Sequence, residues 1–240
     1  MMRFLLVHGS AHGAWCWRAL TAALADLGHR AEALDLPGRG DDPEALAAVT
    51  LEDDARAILA RLETPAIVVG HSAAGFAITQ AAEIDPAHIL RLVYLCAYVP
   101  RPGMSLAMMR RAWPEQPLAG RLVMAPGGAA YRFAPEAIAE NLYADCPPEA
   151  AADAAGRLVW QAVRPQSEPL RETGRVRMVP RSYIRCAADR TIPPEYQAQM
   201  SAGFGPEDVY TLPYGHSPFL AAPERLAKML DEIVRNGESR

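Results

Sequence analysis

The fold is decided by the stretch Ile67-Val68-Val69-Gly70-His71-Ser72-Ala73-Ala74-Gly75-Phe76. The apolar run at 66–69 is rich in β-branched residues and ends at Gly70, which predicts a buried strand. The residues that follow Gly75 favour a helix. Ser72 therefore lies on a tight strand-to-helix turn. Such a turn holds a serine hydroxyl out above the carboxyl ends of a parallel sheet, where it can act as a nucleophile.

One position departs from the usual Gly-x-Ser-x-Gly motif of these turns. Gly70 and Ser72 match the motif, but its last position is Ala74, and Gly75 comes one residue later. Small residues are needed there because the backbones of strand and helix nearly touch. Ala74 either fills space or tightens the turn and tunes acylation. By itself the motif also fits a chance Gly-x-Ser in a strand–helix turn. Other motifs of the chain are therefore needed to identify Ser72 as a nucleophile.

Length and composition limit the classes of function. A chain of 240 residues, half of them hydrophobic, allows one large α/β domain or two small ones. A net charge of −4 excludes a strongly basic surface for nucleic acid. The apolar run at 4–7 is too short for a secretory signal, and no stretch approaches the roughly 20 apolar residues of a transmembrane helix. We therefore expect no nucleic-acid partner and no membrane partner.

The cysteines support a reducing compartment. Cys16, Cys96, Cys146 and Cys186 show no paired spacing, so they are interpreted as reduced thiols. Cys96 and Cys186 end strand-like runs and are expected in the core. Together with the absence of a targeting signal, this pattern predicts a cytoplasmic protein.

Predicted strands alternate with predicted helices along most of the chain. The strand predictions fall at 4–7, 31–36, 66–69, 90–95, 181–186 and 208–212. Helical spacing or capping signals occupy 15–27, 51–62, the segment from Gly75 to Pro86, 194–200 and 223–234. Thr50 and Asp53 form a capping-box pattern at the second helix. This alternation predicts right-handed βαβ units in an α/β fold with a doubly wound, mostly parallel six-stranded sheet.

The alternation breaks between residues 101 and 179. This segment is rich in proline, methionine and alanine, with helix-like pieces at 104–113, 135–143 and 148–159. We therefore predict a core formed by residues 1–100 and 180–240, with a helical cap inserted at 101–179 after the fourth strand. The cap would lie above the carboxyl edge of the sheet, where ligands bind in such folds.

Three chemically complementary residues follow three of the predicted strands. Ser72 follows the third strand, Asp189 the fifth and His216 the sixth. A serine hydroxyl is a poor nucleophile until an imidazole takes its proton, and the imidazole needs a carboxylate that fixes its tautomer. The order Ser, Asp, His is the order found in α/β-hydrolases. The pattern thus predicts a catalytic triad at one edge of the sheet.

An oxyanion hole would complete this site. The backbone N–H of Ala73, directly after the nucleophile, supplies one donor, and the loop after the first strand supplies the other from Ser10. Each such donor is worth roughly 3–4 kcal/mol at the transition state.

Four segments together resemble the hydroxynitrile lyase and plant methylesterase branch of the α/β-hydrolase superfamily, which also contains bacterial carboxylesterases. They are His8-Gly9-Ser10-Ala11-His12-Gly13-Ala14-Trp15, Gly70-His71-Ser72, Ala188-Asp189-Arg190-Thr191-Ile192-Pro193 and Gly215-His216. The resemblance covers the whole chain. It implies a Ser72–His216–Asp189 triad, an oxyanion hole at Ser10 and Ala73, a helical cap, no cofactor and often a homodimer.

Two positions favour ester hydrolysis over cyanohydrin cleavage within this branch. The lyases that resemble this chain carry threonine at the position of Gly9 and lysine directly after the catalytic histidine, where this chain has Ser217. The lysine charge would stabilise departing cyanide, and this chain does not supply it there. We expect hydrolysis through an acyl-Ser72 intermediate, with His216 activating the water.

Other interpretations stay open at this stage. The same triad could serve a lyase or a biosynthetic cyclase or decarboxylating esterase as an acid–base device, or the scaffold could be a ligand receptor without activity. Asp35 also ends a strand and could replace Asp189. His8 and His12 could suggest a metal pair, but they flank a glycine loop and lack an obvious third ligand, so no metal is predicted.

Apolar residues of the cap and one loop histidine are candidates for the substrate pocket. The candidates are His12, Met108, Trp113, Met124, Phe133 and Trp160. Their character favours a small-molecule, hydrophobic or aromatic ester of small to medium size, with methyl and aryl esters as examples. The cap also carries five arginines, which form either a solvated face or a site for an acidic substrate group: Arg101, Arg110, Arg111, Arg121 and Arg132.

Overall fold

The protein is described by a computed structural model that covers residues 1–238. Its strands are β1 (Arg3–Val7), β2 (Arg30–Leu34), β3 (Arg39–Gly40), β4 (Ala66–His71), β5 (Ile89–Leu95), β6 (Leu122–Met124), β7 (Ala130–Phe133), β8 (Trp160–Ala162), β9 (Arg181–Cys186) and β10 (Val209–Leu212). Its α-helices are α1 (Arg18–Asp26), α2 (Leu51–Leu59), α3 (Ala74–Ile84), α4 (Leu106–Ala112), α5 (Pro135–Ala137), α6 (Pro148–Arg157), α7 (Arg164–Ser167), α8 (Pro194–Met200), α9 (Pro218–Ala221) and α10 (Pro223–Glu238). Short 3-10 turns occupy Ala14–Trp17, Ala45–Ala48, Pro126–Gly128, Arg175–Met178 and Pro206–Asp208, and a π-helical turn follows α5 at Ile138–Leu142.

A six-stranded parallel sheet forms the centre of the molecule. Its strand order is β10-β9-β5-β4-β1-β2, and every neighbouring pair is parallel. Helices α1 and α10 cover one face, while α2, α3 and α8 cover the other. Because both faces are covered, β4 is buried along its whole length, which explains its uninterrupted apolar run. The predicted doubly wound α/β fold is confirmed.

Local sequence signals placed several elements accurately. The predicted strand at 181–186 and helix at 194–200 have the same bounds as β9 and α8. The capping box at α2 is also present, because the Thr50 hydroxyl accepts from the Asp53 N–H while the Asp53 carboxylate accepts from the Thr50 N–H. Strand β1 brings His8 to the carboxyl edge of the sheet, next to the end of β4.

The segment between β5 and β9 contains both helices and strands. The helix-like pieces predicted at 104–113 and 148–159 correspond to α4 and α6, and the piece at 135–143 corresponds to α5 and the turn after it. Strands β6, β7 and β8 were not predicted. They form an antiparallel sheet in the order β3-β8-β7-β6, so one strand comes from the loop after β2. The division of the chain at residues 101 and 179 stays a prediction.

The part of the chain that the structure describes contains no helix with the length and apolar character needed to cross a bilayer.

Candidate active site

The turn between β4 and α3 holds Ser72 in a strained backbone conformation. Ser72 has φ +56°, a left-handed value that L-residues other than glycine rarely adopt. Its N–H donates to the Leu95 carbonyl at 3.2 Å, and its own carbonyl accepts from the Tyr98 N–H at 3.0 Å. A Cβ at Gly75 would lie only 1.9 Å from the Tyr98 oxygen. The close approach of this turn to the loop after β5 therefore requires glycine at position 75.

Ala74 fills space beside that glycine. Its methyl group is buried and packs in the core beneath the turn. At Gly70, by contrast, an added Cβ would lie 2.7 Å from the Ile78 side chain. Because the tight contacts of the turn fall on Gly70 and Gly75, the structure supports the space-filling interpretation of Ala74.

The structure brings Ser72, His216 and Asp189 together. The Ser72 Oγ and the His216 Nε2 are 3.1 Å apart, and the His216 Nδ1 is 2.8 Å from the Asp189 Oδ2. The imidazole is 2 % exposed and the carboxylate side chain is fully buried. A continuous hydrogen-bonded path therefore joins the hydroxyl to the carboxylate. This is the geometry in which an imidazole can accept the serine proton.

Asp189 is held by donors on every side. Its Oδ1 accepts from the N–H groups of Thr191 at 2.7 Å and Ile192 at 2.9 Å. Its Oδ2 accepts from the Gln197 Nε2 at 2.9 Å as well as from His216. The Gln197 Oε1 in turn accepts from the Cys186 N–H at the end of β9. Sequence reasoning missed Gln197, because a glutamine in an amphipathic helix gives no sign that it points inward.

The predicted oxyanion donors lie at the same cavity. Ser10 and Ala73 line it together with Ser72. Within residues 1–238, neither backbone N–H has a hydrogen-bond acceptor. Both donors are therefore available to a carbonyl oxygen that approaches the Ser72 hydroxyl.

The segment between β5 and β9 holds the loop that carries Ser10. The Gln166 Nε2 donates to the Ser10 Oγ at 2.8 Å, and the Tyr131 hydroxyl donates to the Gln166 Oε1 at 2.9 Å. The next residue, Ala11, has φ +62°, and its N–H donates to the Gln161 Oε1 at 3.0 Å. These contacts fix the path of the loop. Gln166 and Gln161 were also missed, because neither belongs to a motif.

Three further histidines surround the site, and burial keeps them neutral. Burial lowers the pKa of His8 to about 4 and that of His12 to about 3, and it lowers the pKa of His71 well below its ordinary value. His12 bridges the Ser10 carbonyl and the Tyr143 hydroxyl. His71 donates from its Nε2 to the His216 carbonyl at 2.8 Å, so it positions the backbone of that residue.

One buried cluster has ligand atoms close enough for a metal. These atoms of His71, Cys96 and His216 lie within 4.8 Å of one another. However, both ring nitrogens of His216 are hydrogen-bonded to Ser72 and Asp189. A metal could bind His216 only by breaking one of these bonds. His8, considered with His12 as a metal pair, instead accepts the Leu36 N–H on its Nε2.

Asp35, the alternative acid, has a structural role. Its Oδ1 accepts from the Ala14 N–H at 2.9 Å and from the Arg39 guanidinium at 3.1 Å. The carboxylate beside His216 is that of Asp189.

Two neighbouring spaces lie in front of Ser72. The inner cavity has a volume of about 30 Å³, and the outer pocket has a volume of about 230 Å³. Both are lined by Tyr98, Arg110, Leu118 and Thr191. The inner cavity has room for little more than one water molecule. The outer pocket is the larger of the two spaces and adjoins the inner cavity at these four residues.

The predicted pocket residues divide between these spaces and other places. Phe133 lines the inner cavity and Trp113 lines the outer pocket. The other four are not among the lining residues: His12 is buried, Met108 and Met124 are exposed, and Trp160 lies under the Arg132 guanidinium at 4.7 Å. Their contact with substrate stays a prediction.

A family model described as the alpha/beta hydrolase family matches residues 4–229. The esterase PIR7B of Oryza sativa subsp. japonica is 30% identical, over 98% of this chain and 96% of its own. A pyrethroid hydrolase of Sphingobium wenxiniae is 32% identical, over 96% of this chain and 86% of its own.

A solved structure shows the same likeness in three dimensions. The crystal structure of a pyrethroid hydrolase from Sphingobium faniae superposes with a TM-score of 0.84 at 28% identity, over 98% of this chain and 97% of that one. The shared architecture includes the segment between β5 and β9, since nearly all of both chains is covered.

Proposed function

The chain belongs to the alpha/beta hydrolase family, and from that premise we propose that it is a serine carboxylic ester hydrolase with Ser72, His216 and Asp189 as its catalytic residues. The observation that carries the proposal is the hydrogen-bonded path from the Ser72 hydroxyl through His216 to Asp189. The relatives named esterase and pyrethroid hydrolase support the reaction class.

The reaction proceeds in two halves on one serine. The Ser72 Oγ attacks the ester carbonyl while the His216 Nε2 takes its proton, and the carbonyl oxygen becomes an oxyanion that accepts from the N–H groups of Ser10 and Ala73. The imidazolium then protonates the leaving alkoxide, which departs as the alcohol and leaves an acyl-Ser72. Water attacks this acyl group, with His216 again taking the proton, and the acid is released.

Asp189 makes this proton transfer effective. Its carboxylate accepts the Nδ1–H of His216, so the Nε2 lone pair faces Ser72. The three other donors to Asp189 keep the carboxylate in place while the imidazole gains and loses charge.

The surroundings of Gly9 favour hydrolysis over cyanohydrin cleavage. A Cβ at this position would lie 2.8 Å from the His71 Nδ1 and 3.0 Å from the Ser72 Cβ. The threonine expected of a lyase therefore does not fit beside this turn without moving His71 or Ser72. The residue after His216 is Ser217, which is fully buried and carries no charge to stabilise cyanide.

The substrate is a small-molecule ester with a hydrophobic portion near the scissile bond. Leu106, Leu118, Phe133 and Ile192 line the inner cavity beside Ser72. The relative named methyl jasmonate esterase 1, from Vitis vinifera, supports methyl esters as one candidate group.

Replacement of the nucleophile tests the proposal. Ser72→Ala should lower kcat/KM for p-nitrophenyl acetate by roughly 10⁴-fold or more, because nothing replaces the attacking oxygen. Ser167→Ala is the matched control, because Ser167 is exposed and its hydroxyl donates to the carbonyl of Val163, the residue before α7. A fluorophosphonate probe should label the wild type at Ser72 only.

Two results would contradict the proposal. Undiminished turnover by Ser72→Ala would remove Ser72 as the nucleophile. Cyanide release from mandelonitrile, with no hydrolysis of any ester in a panel of methyl, aryl and bulky esters, would assign the site to a lyase.

Location and assembly also belong to this proposal. Cys16, Cys96, Cys146 and Cys186 are all free, which supports a reducing compartment and hence the cytoplasm. Homodimer formation is expected from the resemblance to the methylesterase branch. Cell fractionation and analytical ultracentrifugation measure the two properties.

A further inference from the structure

Arg110 differs from the other arginines of its segment in its position beside the site. Arg121 pairs with Glu140 at 2.7 Å, and Arg132 lies over the ring of Trp160. Arg110 is half-buried and lines both the inner cavity and the outer pocket. Among residues 1–238, no carboxylate lies within 4.0 Å of its guanidinium. A half-buried guanidinium with no anion beside it is poised to bind one from outside.

Two further polar groups beside Arg110 lack partners. The Thr191 side chain lines both spaces, the residue is 8 % exposed, and its Oγ1 has no hydrogen-bond partner in the described part of the chain. The Trp113 Nε1, in the wall of the outer pocket, is likewise buried and unpartnered there. Buried donors without acceptors cost free energy. Both residues line the outer pocket, and Thr191 also lines the inner cavity beside Arg110.

The charge in this region is positive where the two spaces meet. Burial raises the pKa of Tyr98 well above its ordinary value, while the Arg110 charge lowers it. Tyr98 therefore keeps its proton and remains a donor. Arg111 and Glu115 also line the outer pocket, and both are exposed at its rim. Of the charged residues Arg110, Arg111 and Glu115, only Arg110 also lines the inner cavity beside Ser72.

We infer that the preferred substrate is an ester that carries a second group, a carboxylate, which binds Arg110 and Thr191 at the junction of the inner cavity and the outer pocket. This inference rests on the proposed function, because the ester carbonyl must lie against Ser72, Ser10 and Ala73. An ester held there extends past Arg110 into the outer pocket. A carboxylate several bonds from the ester would accept hydrogen bonds from the guanidinium and from the Thr191 hydroxyl.

Matched pairs of esters test this substrate class. Monomethyl esters of linear dicarboxylic acids are compared with methyl esters of monocarboxylic acids of equal length, which places the charge on the acyl side. The pair 4-acetoxybenzoate and phenyl acetate places it on the alcohol side. In at least one pair, kcat/KM should favour the charged ester by roughly 10- to 100-fold, the range expected for hydrogen bonds to a charged group.

Variants of Arg110 assign that preference to one side chain. Arg110→Gln should remove most of the ratio of charged to neutral kcat/KM, and Arg110→Lys should keep part of it through charge without the planar fork. Arg157→Gln is the matched control, because Arg157 is in the same segment but pairs with Asp153 on the surface of α6. The ratio in this control should equal that of the wild type.

A binding measurement separates the inference from the proposed function. Calorimetric titration of glutarate and longer dicarboxylates into Ser72→Ala should show binding that Ser72→Ala/Arg110→Gln loses by at least about 10-fold. Two outcomes would overturn the inference and leave the ester hydrolase intact. One is hydrolysis of the neutral esters with no preference for the charged ester of any pair. The other is a ratio of charged to neutral kcat/KM that Arg110→Gln leaves unchanged. Absence of all ester turnover would instead overturn the proposed function, and the titration would still decide on the carboxylate site.

Discussion

The triad and the outer pocket differ in how their buried polar atoms are satisfied. Each polar side-chain atom of Ser72, His216 and Asp189 has a hydrogen-bond partner, and the Asp189 carboxylate accepts four hydrogen bonds. The outer pocket shows the opposite, with a buried polar atom that has no partner in the described part of the chain. The Thr191 N–H donates to Asp189, whereas its own Oγ1 is buried and has no partner within residues 1–238.

This difference separates preparation for chemistry from preparation for a ligand. Groups that move a proton must be held in place before the substrate arrives, since any reorganisation would add to the barrier. Groups that recognise a substrate gain more by being unpartnered beforehand, because the ligand then supplies their missing hydrogen bond. Thr191 serves both purposes through two different atoms.

A substitution among the fully hydrogen-bonded groups beside Ser72 should have the largest effect. Asp189→Asn should lower kcat for p-nitrophenyl acetate by roughly 10⁴-fold, because the amide no longer stabilises the imidazole tautomer that faces Ser72. Stopped-flow or steady-state kinetics measure this loss, and circular dichroism checks the fold.

Asp35→Asn is the control for this variant. Asp35 contacts Ala14 and Arg39 and not the imidazole, so kcat should change little. A larger loss in Asp35→Asn than in Asp189→Asn would mean that the wrong carboxylate has been assigned to His216.

A smaller effect is expected where the segment between β5 and β9 meets the oxyanion loop. Gln166→Leu removes the donor to the Ser10 Oγ and the acceptor of the Tyr131 hydroxyl. The Ser10 N–H would then be less well aimed at the oxyanion, so kcat should fall about 10-fold with little change in KM.

Steady-state kinetics on a neutral ester give this kcat and KM split, with the exposed Gln199→Leu as the matched variant. If Gln166→Leu raised KM and left kcat alone, Gln166 would be a substrate contact and not a positioning residue.

The last prediction concerns protein stability and the buried carboxylate of Asp54. Burial raises the pKa of Asp54 to about 7, and the Gly38 N–H is its hydrogen-bond donor at 2.8 Å. An acid with a raised folded-state pKa binds its proton more tightly when folded, so the free energy of unfolding falls as pH rises from about 4 to 7. Asp54→Asn should therefore be more stable than the wild type at pH 8, by on the order of 4 kcal/mol, and nearly equal to it at pH 4.

Thermal melts at both pH values check this prediction, and Asp53→Asn provides the contrast. The hydrogen bonds from Thr50 hold the pKa of Asp53 below its ordinary value, so its removal should destabilise the protein at pH 8. Equal melting temperatures of Asp54→Asn and the wild type at pH 8 would show that the buried Asp54 carboxylate does not destabilise the folded protein.

The parallel sheet and the convergence of Ser72, Asp189 and His216 were predictable because their signals are local. Strand β9 runs between proline and a polar loop, and α8 begins at Pro194, so residue types mark the bounds directly. Ser72, Asp189 and His216 follow strands whose carboxyl ends necessarily share one edge. That geometry needs no knowledge of which residues touch.

The antiparallel sheet and the supporting glutamines were not predictable for the opposite reason. Strands β6 and β8 have three residues each, too short for alternation to appear, and β3 has two. Arg39 of β3 pairs with Gln161 of β8, and no motif near either residue indicates this contact. Gln166 and Gln197 act through partners far away in sequence, so their roles emerge only from the folded contacts.

The placement of β9 beside β5 has a consequence for biosynthesis. Leu92 pairs with Arg181, so the edge of β5 stays open on the ribosome until the whole segment 96–180 has been translated. At roughly 5–20 residues per second this takes about 4 to 17 s, during which an apolar strand edge is exposed to other nascent chains. Slow codons or chaperone occupancy within this interval would then alter the yield of folded enzyme without changing a single residue of it.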